Sequence, residues 1–395
     1  MRKTINRIGI LHYTGPPIVG GVEEVIRYHT RLFLNDGFSL RLIVGEGEPF
    51  DPGIDLCLIP ELKADLKRGY DEKIKARIQE KLLDSIQDLD LLIVHNILSM
   101  PLNLSATAAI VELKDEIPII AWVHDLGRFD PQYRFGEGYP WTLLQKRVEG
   151  ITYVVISEYR RQQIEELFGP GRIDVIPDGV DIFRIAGCDP ELARIISPYL
   201  DYGPIALMPG RMVRRKNFEL AIRITAALNE KGPFTLFITA PIDPHNPDTK
   251  SYHDELNQMI NKYDLHKQVV FLSEKINLTD WSRIRSLYLL TDLLLLTSKI
   301  EGFGLPLIEA AVLKTPAFVT TIPPLEEIIG STQTFHFPLD SDPTEVARKI
   351  HHHLYHSPVF QLKRRIIEEY SWERIYQRKI RPLILRLSQE VQSQR

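Results

Sequence analysis

The sequence predicts an α/β protein built from two doubly wound, parallel-sheet domains. Short apolar segments alternate with longer, periodic and more polar segments along nearly the whole chain, which is the pattern of repeated βαβ units. The chain has 395 residues, and single hydrophobic cores tend to split into separate domains beyond about 250–300 residues. Residues 182–202 interrupt the series of strands near the middle of the chain, so the division between the two domains is expected there.

The first series contains seven predicted strands, each a short apolar run. They cover residues 7–12, 40–44, 55–59, 91–95, 117–124, 153–156 and 174–176. The following segment contains Gly187, Pro190 and Pro198, which favour a linker with a short helix. The predicted N-terminal domain therefore covers residues 1–184.

The second series contains six predicted strands. They cover residues 204–209, 234–239, 268–272, 292–297, 316–320 and 334–337. Near the C-terminus, Ser371 is predicted to cap a helix that begins at Trp372 and is broken at Pro382. The predicted C-terminal domain covers residues 185–375.

Composition excludes several functional classes. The formal net charge of −4 argues against a nucleic-acid-binding protein, whose surface would be strongly basic. No apolar run approaches the roughly 20 residues needed to cross a membrane. The two cysteines, Cys57 and Cys188, lack metal-ligand spacing and are expected to be buried or unreactive thiols. A cytoplasmic protein without a transmembrane segment is expected.

The most informative motif is the segment from Glu301 to Ala310. It follows the apolar run Leu293–Leu296, and Pro306 is of a type favoured in the first turn of a helix. Glu301 therefore lies in a loop after a strand, and Glu309 lies about one turn into the next helix. The intervening backbone amides, at a helix N-terminus, can bind an anion; they belong to Gly302, Phe303, Gly304 and Leu305. Two carboxylates beside such amides suit a nucleotide sugar, which is both polyol and anion, although strand–loop–helix segments with two glutamates also arise by chance.

A second motif follows the predicted strand at 204–209. Gly210 is followed by Arg211 and Lys216, so cations lie at a strand end just before a helix. A guanidinium can hold two diphosphate oxygens and an ammonium adds a point charge. An exposed basic turn would account for the neighbouring Arg214 and Arg215.

A third motif, after the first predicted strand, contains Gly20 and Gly21. The pair opens a helix and permits close approach of the backbone to a ligand, although paired glycines also serve plain turns. The segment is not the Gly-x-Gly-x-x-Gly of a dinucleotide site, and the second strand lacks a clear terminal acid. A dehydrogenase is therefore disfavoured.

Polar and aromatic side chains at other strand ends of the first domain form a candidate acceptor site. His124 ends the strand at 117–124 and is either functional or structural, and the loop from Leu126 to Pro140 is of the kind that commonly shapes binding sites. The candidate acceptor-binding residues are Tyr13, His95, Asn96, Asp125, Arg128, Tyr133 and Arg134. The two arginines suggest an acceptor with a carboxylate or phosphate.

The Glu301–Glu309 segment resembles the Glu-x7-Glu motif of family 4 of the retaining glycosyltransferases. The Gly210–Lys216 segment and the Gly20–Glu23 run also resemble segments of that family, and the resemblance covers nearly the whole chain. It implies the GT-B fold, in which two Rossmann-like domains face each other across a cleft. It also implies that a helix of about residues 376–395 packs back onto the N-terminal domain.

The resemblance further implies roles for individual residues. Arg211 and Lys216 would hold the diphosphate, Glu301 the hexose and Glu309 the ribose, while His124 would lie beside the reacting sugar carbon. Gly20 and Gly21 would approach the distal phosphate. Asp178 stands where the family usually has asparagine, and Ser273 where it usually has glycine.

The predicted function is transfer of a hexose from a nucleoside-diphosphate sugar to an acceptor hydroxyl, with retained anomeric configuration. No Asp-x-Asp segment is predicted to hold a metal, so no metal and no cofactor beyond the donor substrate are expected. The acceptor is predicted to be a small anionic glycoside or polyol. Two alternatives remain: a nucleotide-sugar epimerase on the same fold, which would need its own acid–base carboxylates, and a catalytically silent sugar-nucleotide-binding protein.

Overall fold

The computed structural model describes residues 5–241, 247–332 and 334–393. Contacts divide the chain into two compact units. Unit 1 comprises Met1–Val180 and Tyr370–Arg395, and unit 2 comprises Asp181–Glu369. The return of the chain to unit 1 thus begins before the predicted residue 376.

Unit 1 contains a seven-stranded sheet of order β3-β2-β1-β4-β5-β6-β7 in which every pairing is parallel. Its strands are β1 (Arg7–His12), β2 (Ser39–Val44), β3 (Ile54–Leu58), β4 (Leu91–His95), β5 (Ile119–Val123), β6 (Ile151–Val155) and β7 (Asp174–Val175). β4 and β5 are buried along their whole length, as expected for central strands covered on both faces.

Helices connect these strands and cover the two faces of the sheet. They are α1 (Gly21–Asn35), α2 (Glu72–Ile86), α3 (Leu104–Glu112) and α4 (Glu158–Phe168). Side chains of Asp71, Asn103 and Ser157 accept hydrogen bonds from backbone amides at the starts of α2, α3 and α4.

Unit 2 contains a six-stranded sheet of order β10-β9-β8-β11-β12-β13, again parallel throughout. Its strands are β8 (Ile205–Met208), β9 (Thr235–Ile238), β10 (Val269–Phe271), β11 (Leu293–Leu296), β12 (Ala317–Thr320) and β13 (Phe335–Phe337). The helices of unit 2 are α5 (Ile182–Ile185), α6 (Pro190–Tyr202), α7 (Phe218–Asn229), α8 (Pro247–Lys262), α9 (Trp281–Leu290), α10 (Leu305–Val312), α11 (Pro323–Ile329), α12 (Pro343–His356) and α13 (Pro358–Tyr370). Every predicted strand is thus present, and two doubly wound parallel sheets are confirmed.

The predicted linker at residues 182–202 is wrong in its main feature, because α6 continues through Pro198. Leu192, Ile196 and Leu200 recur every fourth residue and are buried, so one face of α6 is anchored in the core of unit 2. Pro198 lies on the exposed side. The packed face therefore outweighs the cost of the missing amide.

The C-terminal segment also differs from expectation. The side chain of Ser371 makes no capping hydrogen bond, and the residue is instead bridged to Val180. Pro382 does not break the chain's helical course: α14 (Trp372–Ile375) passes through a π-helical turn at Tyr376–Ile380 into α15 (Arg381–Ser393). The π-helical turn lies directly before the proline, and such a bulge is one of the ways in which a helix accommodates a proline.

The returning helices pack on unit 1. Ile375, Tyr376, Ile380, Leu383 and Ile384 are buried in the same cluster as side chains of β1, β2, β4 and β5. Residues 394 and 395 of the predicted terminal helix lie outside the described residues.

In both units, the sequence motifs follow the carboxyl ends of strands, where ligands bind in open parallel sheets. Across the residues that the structure describes, no helix combines the length and apolar character needed to span a membrane. Cys57 and Cys188 are half-buried rather than fully buried, and burial raises the pKa of both thiols.

Candidate active site

The central feature of unit 2 is an ion pair between Lys216 and Glu301. The Nζ of Lys216 lies 2.6 Å from Oε1 of Glu301, and the two side chains are only 8% and 7% exposed. The Oγ of Ser298 donates to the same carboxylate oxygen at 2.6 Å. Arg215 approaches the other oxygen, with Nη1 at 3.4 Å from Oε2. The structure thus brings together a cation and a carboxylate that were predicted separately from distant motifs.

Backbone contacts hold the two motifs side by side. The Oγ1 of Thr297, after β11, donates to the carbonyl oxygen of Asn217 at 2.8 Å. The amide of Lys299 donates to the carbonyl of Arg215 at 2.7 Å. Asn217 has a φ of 57°, in the left-handed region, and it directly precedes α7. These contacts fix the Lys216 turn against the Glu301 loop.

The environment of Glu301 favours its charged form. Burial acts to raise the pKa of Glu301, but hydrogen bonds from Lys216 and Ser298, with the charges of Lys216 and Arg215, lower it overall. Glu301 therefore remains a carboxylate at neutral pH, able to accept hydrogen bonds from sugar hydroxyls while its charge is balanced by Lys216.

Glu309 lies on α10 and is held separately. The hydroxyl of Tyr288 donates to Oε2 of Glu309 at 2.8 Å. Burial, followed by the hydrogen bond and the charge of Glu309, raises the pKa of Tyr288, so the phenol stays a donor. One oxygen of Glu309 is thus oriented by the protein, and Glu309 itself is half-buried.

Gly304 permits the turn between these two glutamates. Its φ of 108° is one that residues other than glycine rarely adopt, and an added Cβ would lie 2.5 Å from the side chain of Leu325. Gly304 is the N-cap residue directly before α10, and the first amides of the helix have no partners within the helix. Gly302, Phe303 and Leu305 are exposed around them.

Arg211 is exposed, and within the described ranges its side chain makes no hydrogen bond or ion pair. The adjacent Arg214, by contrast, forms an ion pair with Glu255 at 2.6 Å. The side chain of Arg211 is thus available to a ligand. Arg214 is instead paired with a surface carboxylate of unit 2, as expected for a residue of an exposed basic turn.

In unit 1, Gly20 and Gly21 begin α1, as the sequence predicts. Glu23, two residues later, is nearly buried; it accepts a hydrogen bond from Thr14 and lies 3.9 Å from Nε2 of His12. An added Cβ on Gly20 would overlap the carboxylate of Glu23, whereas Gly21 has open space around it. A side chain at position 20 would therefore require the Glu23 carboxylate to move, whereas one at position 21 would not.

Four histidines lie together behind the strand ends of unit 1. His12, His29, His95 and His124 are all buried. Nδ1 of His95 lies 2.9 Å from Nε2 of His124, and Nδ1 of His124 lies 3.3 Å from Oδ2 of Asp178. Both ring nitrogens of His124 therefore have protein partners.

The predicted acceptor residues separate into two groups. Tyr13 is buried with its hydroxyl bonded to the carbonyl of Met100, and His95 is fully buried, so neither presents a side chain to a ligand in this conformation. Arg128 and Arg134 are exposed, and Tyr133 is half-buried, with burial followed by Asp130 and Asp125 raising its pKa.

Asn96 and Asp125 form a small polar network at the same strand ends. Asn96 donates to Asp125 at 3.2 Å and accepts from the amide of His124 at 2.8 Å. Arg160, at the start of α4, donates to the carbonyl of His124 at 3.1 Å and lies 3.3 Å from Asp125. The network orients the backbone of His124.

Several residues that hold the candidate site together were not identified from the sequence. The partners Arg215, Tyr288, Arg160, Glu23 and Asp178 were not predicted to be site residues. Asp178 carried one signal, its acidic side chain in the Ile176–Asp181 segment, but no spacing pairs it with His124.

Two family models match the chain. The model described as "Glycosyl transferases group 1" matches residues 197–370, and the model described as "Glycosyltransferase Family 4" matches residues 19–184. Together they cover most of both units.

Among curated relatives, a D-inositol 3-phosphate glycosyltransferase from Nocardia farcinica is 26% identical over 163 residues, which are 41% of this chain and 35% of the relative. A relative of the same name from Rhodococcus erythropolis is 27% identical over 174 residues, which are 43% of this chain and 38% of the relative. The chain thus matches little more than a third of the length of these relatives.

Among solved structures, sucrose-phosphate synthase from Thermosynechococcus elongatus aligns over 98% of each chain with 16% identity and a TM-score of 0.41. A trehalose-6-phosphate protein from E. coli, solved with UDP-2-fluoro glucose, aligns over 96% of this chain and 99% of its own, with 14% identity and a TM-score of 0.38.

Proposed function

The chain belongs to the family 4 glycosyltransferases of the group 1 type, and we propose that it transfers a hexose from a nucleoside-diphosphate sugar to an acceptor hydroxyl. The observation that carries this proposal is the buried Lys216–Glu301 pair beside the start of α10. It offers a cation for a diphosphate and a carboxylate for sugar hydroxyls within one small volume.

The proposed chemistry is a front-face substitution with retention. The bond between the anomeric carbon and the diphosphate oxygen breaks, the acceptor oxygen bonds to the same face of that carbon, and the acceptor proton moves to the departing phosphate oxygen. Arg211 and Lys216 stabilise the negative charge on the leaving diphosphate. Glu301 suits hexose binding better than nucleophilic attack, because Lys216 and Ser298 already occupy one of its oxygens.

We propose an anionic polyol as the acceptor. The exposed guanidinium groups of Arg128 and Arg134 suit a phosphate. The curated relatives are named as D-inositol 3-phosphate glycosyltransferases, which supports a phosphorylated polyol.

The function is tested by identifying donor and product. Uridine, guanosine and adenosine diphosphate sugars are screened by thermal shift, since a ligand that binds only the folded state raises the melting temperature. The best donor is then incubated with inositol phosphates, sugar phosphates and the uncharged polyols. A glycosylated acceptor with retained anomeric configuration supports the proposal. Donor binding without any transfer would instead indicate a binding protein, and conversion of the donor to its epimer would indicate an epimerase.

We expect activity to persist in excess EDTA. Two cations and the helix-terminal amides are proposed to balance the diphosphate charge, so no divalent ion is required. Initial rates are compared with and without the chelator. Loss of activity with EDTA, restored by Mg²⁺ or Mn²⁺, would contradict the proposed leaving-group chemistry.

The two glutamates are expected to differ in the ligand that they affect. Glu309→Gln should weaken nucleoside-diphosphate binding by about tenfold, because hydrogen bonds to a charged group contribute about 1.5–3 kcal/mol. Glu301→Gln should not weaken that binding, because it removes the carboxylate that competes with phosphate for Lys216. It should nevertheless lower turnover of the complete donor.

Calorimetric titration with nucleoside diphosphate and with the nucleotide sugar separates these effects. Glu230→Gln, at an exposed position of unit 2, is the matched control and should change neither affinity. If Glu301→Gln abolishes nucleotide binding while Glu309→Gln leaves it intact, the two roles are reversed.

A further inference from the structure

We propose that Asp178 is a positioning residue for His124, and that it acts through a hydrogen-bonded Asp178–His124–His95 chain. The effect on turnover rests on the proposed function, whereas the effect on the His124 ring does not. The sequence motifs do not place Asp178 in the site, and they do not predict its contact with His124.

This series of contacts is continuous, and its two histidines are buried. From Asp178, hydrogen-bonding distances of 3.3 Å and 2.9 Å lead through His124 to His95. The rings of His124 and His95 are stacked at 18° with their centroids 5.2 Å apart. The side chain of His124 is 5% exposed and that of Asp178 is 34% exposed, so Asp178 is the end of the chain that solvent reaches.

This geometry determines where the proton of His124 resides. An ionised carboxylate can only accept hydrogen bonds, so Nδ1 of His124 carries a proton whether the ring is neutral or charged. In the neutral ring, Nε2 must accept, and Nδ1 of His95 must donate to it. Nε2 of His95 then carries a lone pair instead of a proton, and this atom has no hydrogen-bond partner among the described residues. Burial, followed by His124, His29 and His12, holds the pKa of His95 well below its usual value, which keeps that ring neutral.

Packing and hydrogen bonds to the backbone anchor both ends of the Asp178–His124 contact. After Asp178, an added Cβ on Gly179 would lie 2.6 Å from the ring of Trp372. The amide of Val180 donates to the carbonyl of Tyr370 at 2.7 Å. With the backbone of His124 held by Asn96 and Arg160, the ring can adopt few orientations that keep its contact with Asp178.

The consequence is pre-organisation of His124. Without the carboxylate, Nδ1 loses its acceptor, and the ring can change its tautomer or turn about its side-chain bonds. A charge-assisted hydrogen bond of this kind corresponds to about a tenfold to hundredfold effect. The change should appear in kcat rather than in affinity for the nucleoside diphosphate, whose proposed ligands are in unit 2.

The test uses Asp178→Ala, Asp178→Asn and Asp178→Glu in the full chain. Asp115→Asn, an exposed carboxylate in the same unit, is the matched control. Nitrogen NMR of histidine-labelled protein, assigned with His124→Gln, reports which ring nitrogen of His124 is protonated. We expect a protonated Nδ1 in the unaltered protein and in the control. Asp178→Ala should shift the proton wholly or partly to Nε2, and Asp178→Glu should restore the original spectrum at least in part.

Kinetics provide the second readout. With the donor and acceptor of the proposed function, Asp178→Ala should lower kcat by about tenfold or more. Asp178→Asn should lower it less, because its amide oxygen can still accept a hydrogen bond from Nδ1. The calorimetric Kd for nucleoside diphosphate should stay within about twofold of the unaltered value, since no contact to the diphosphate is proposed for Asp178.

Each outcome decides the proposal. An unprotonated Nδ1 on His124 in the unaltered protein, or a spectrum that Asp178→Ala leaves unchanged, overturns the positioning role whether or not transfer is observed. An altered spectrum with unchanged kcat overturns the catalytic consequence alone. If no donor and acceptor react, the proposed function fails, and the NMR result still decides the role of Asp178. If Asp178→Ala does not fold, the spectrum of the unaltered protein still decides whether Nδ1 of His124 is protonated, as the proposal requires.

Discussion

Replacing Lys216 by alanine is expected to lower turnover by about two orders of magnitude or more, the scale observed when a group that stabilises transition-state charge is removed. The same loss is expected for Arg211→Ala. Both cations are proposed to offset the negative charge that develops on the departing diphosphate. Turnover is measured with saturating donor under conditions where chemistry limits the rate.

The two substitutions should differ in their effect on folding. Arg211 is exposed, so its loss should leave stability unchanged. Removing Lys216 leaves the carboxylate of Glu301 nearly buried with only Ser298 and Arg215 nearby, which should lower the free energy of unfolding by about 1–3 kcal/mol. Lys216→Ala combined with Glu301→Gln should recover part of that loss but none of the activity.

Lys267→Ala, at an exposed position of unit 2, is the matched control and should retain full turnover and stability. Turnover close to that of the unaltered protein in Arg211→Ala or Lys216→Ala would remove that cation from the mechanism.

Acid is expected to destabilise unit 1 strongly between pH 7 and pH 5. Burial is the main cause that lowers the pKa of His12 to about 4 and of His29 to about 3, and His95 lies well below its usual value. These rings are neutral in the folded state, whereas in the unfolded chain they bind protons below about pH 6.5. The unfolded state therefore binds more protons in this range, and the free energy of unfolding falls as the pH falls.

The expected size follows from proton linkage. His12 and His29 should each remove about 2 kcal/mol between pH 7 and pH 5, which gives about 4 kcal/mol for the two, and His95 should act in the same direction. The charged neighbours Glu23 and Asp178 act in the opposite direction, raising the pKa of His12 and His29 respectively, but burial outweighs them.

Urea unfolding followed by tryptophan emission measures the effect, because Trp122, Trp141 and Trp372 lie in unit 1 and only Trp281 lies in unit 2. His29→Leu should reduce the loss by about 2 kcal/mol, since one titrating ring is removed. His266→Gln, at an exposed position of unit 2, is the control and should leave the loss unchanged. A pH dependence that His29→Leu leaves intact would show that His29 is not responsible.

How far the sequence predicted the site can be judged from the Lys216–Glu301 pair. Both residues were singled out, because a cation and a carboxylate each followed an apolar run at a predicted strand end. Their contact at 2.6 Å was not predicted. It depends on β8 and β11 being neighbours in the sheet, where Ala206 pairs with Leu293 although the two residues are 87 positions apart in the sequence.

The histidine cluster shows the limit more clearly. His95 ends β4 and His124 directly follows β5; because the two strands are adjacent, the proximity of these histidines follows once the strand order is known. Their partner Asp178 lies in the segment after β7, and no periodicity or spacing in the chain relates it to His124. The sequence also gave no indication that Tyr13 is buried, because strand-end residues can point either to solvent or into the core.

The sequence by itself determined the alternation of strands and helices, the two sheets and the polar groups at the strand ends. These features follow from local patterns: apolar runs, glycines, prolines and caps act over a few residues. Only the tertiary structure decided which of those polar groups meet, which remain exposed, and that α6 continues through Pro198. Such outcomes depend on burial and on hydrogen bonds between segments far apart in the chain, and their free energies arise only when the strands are assembled in order.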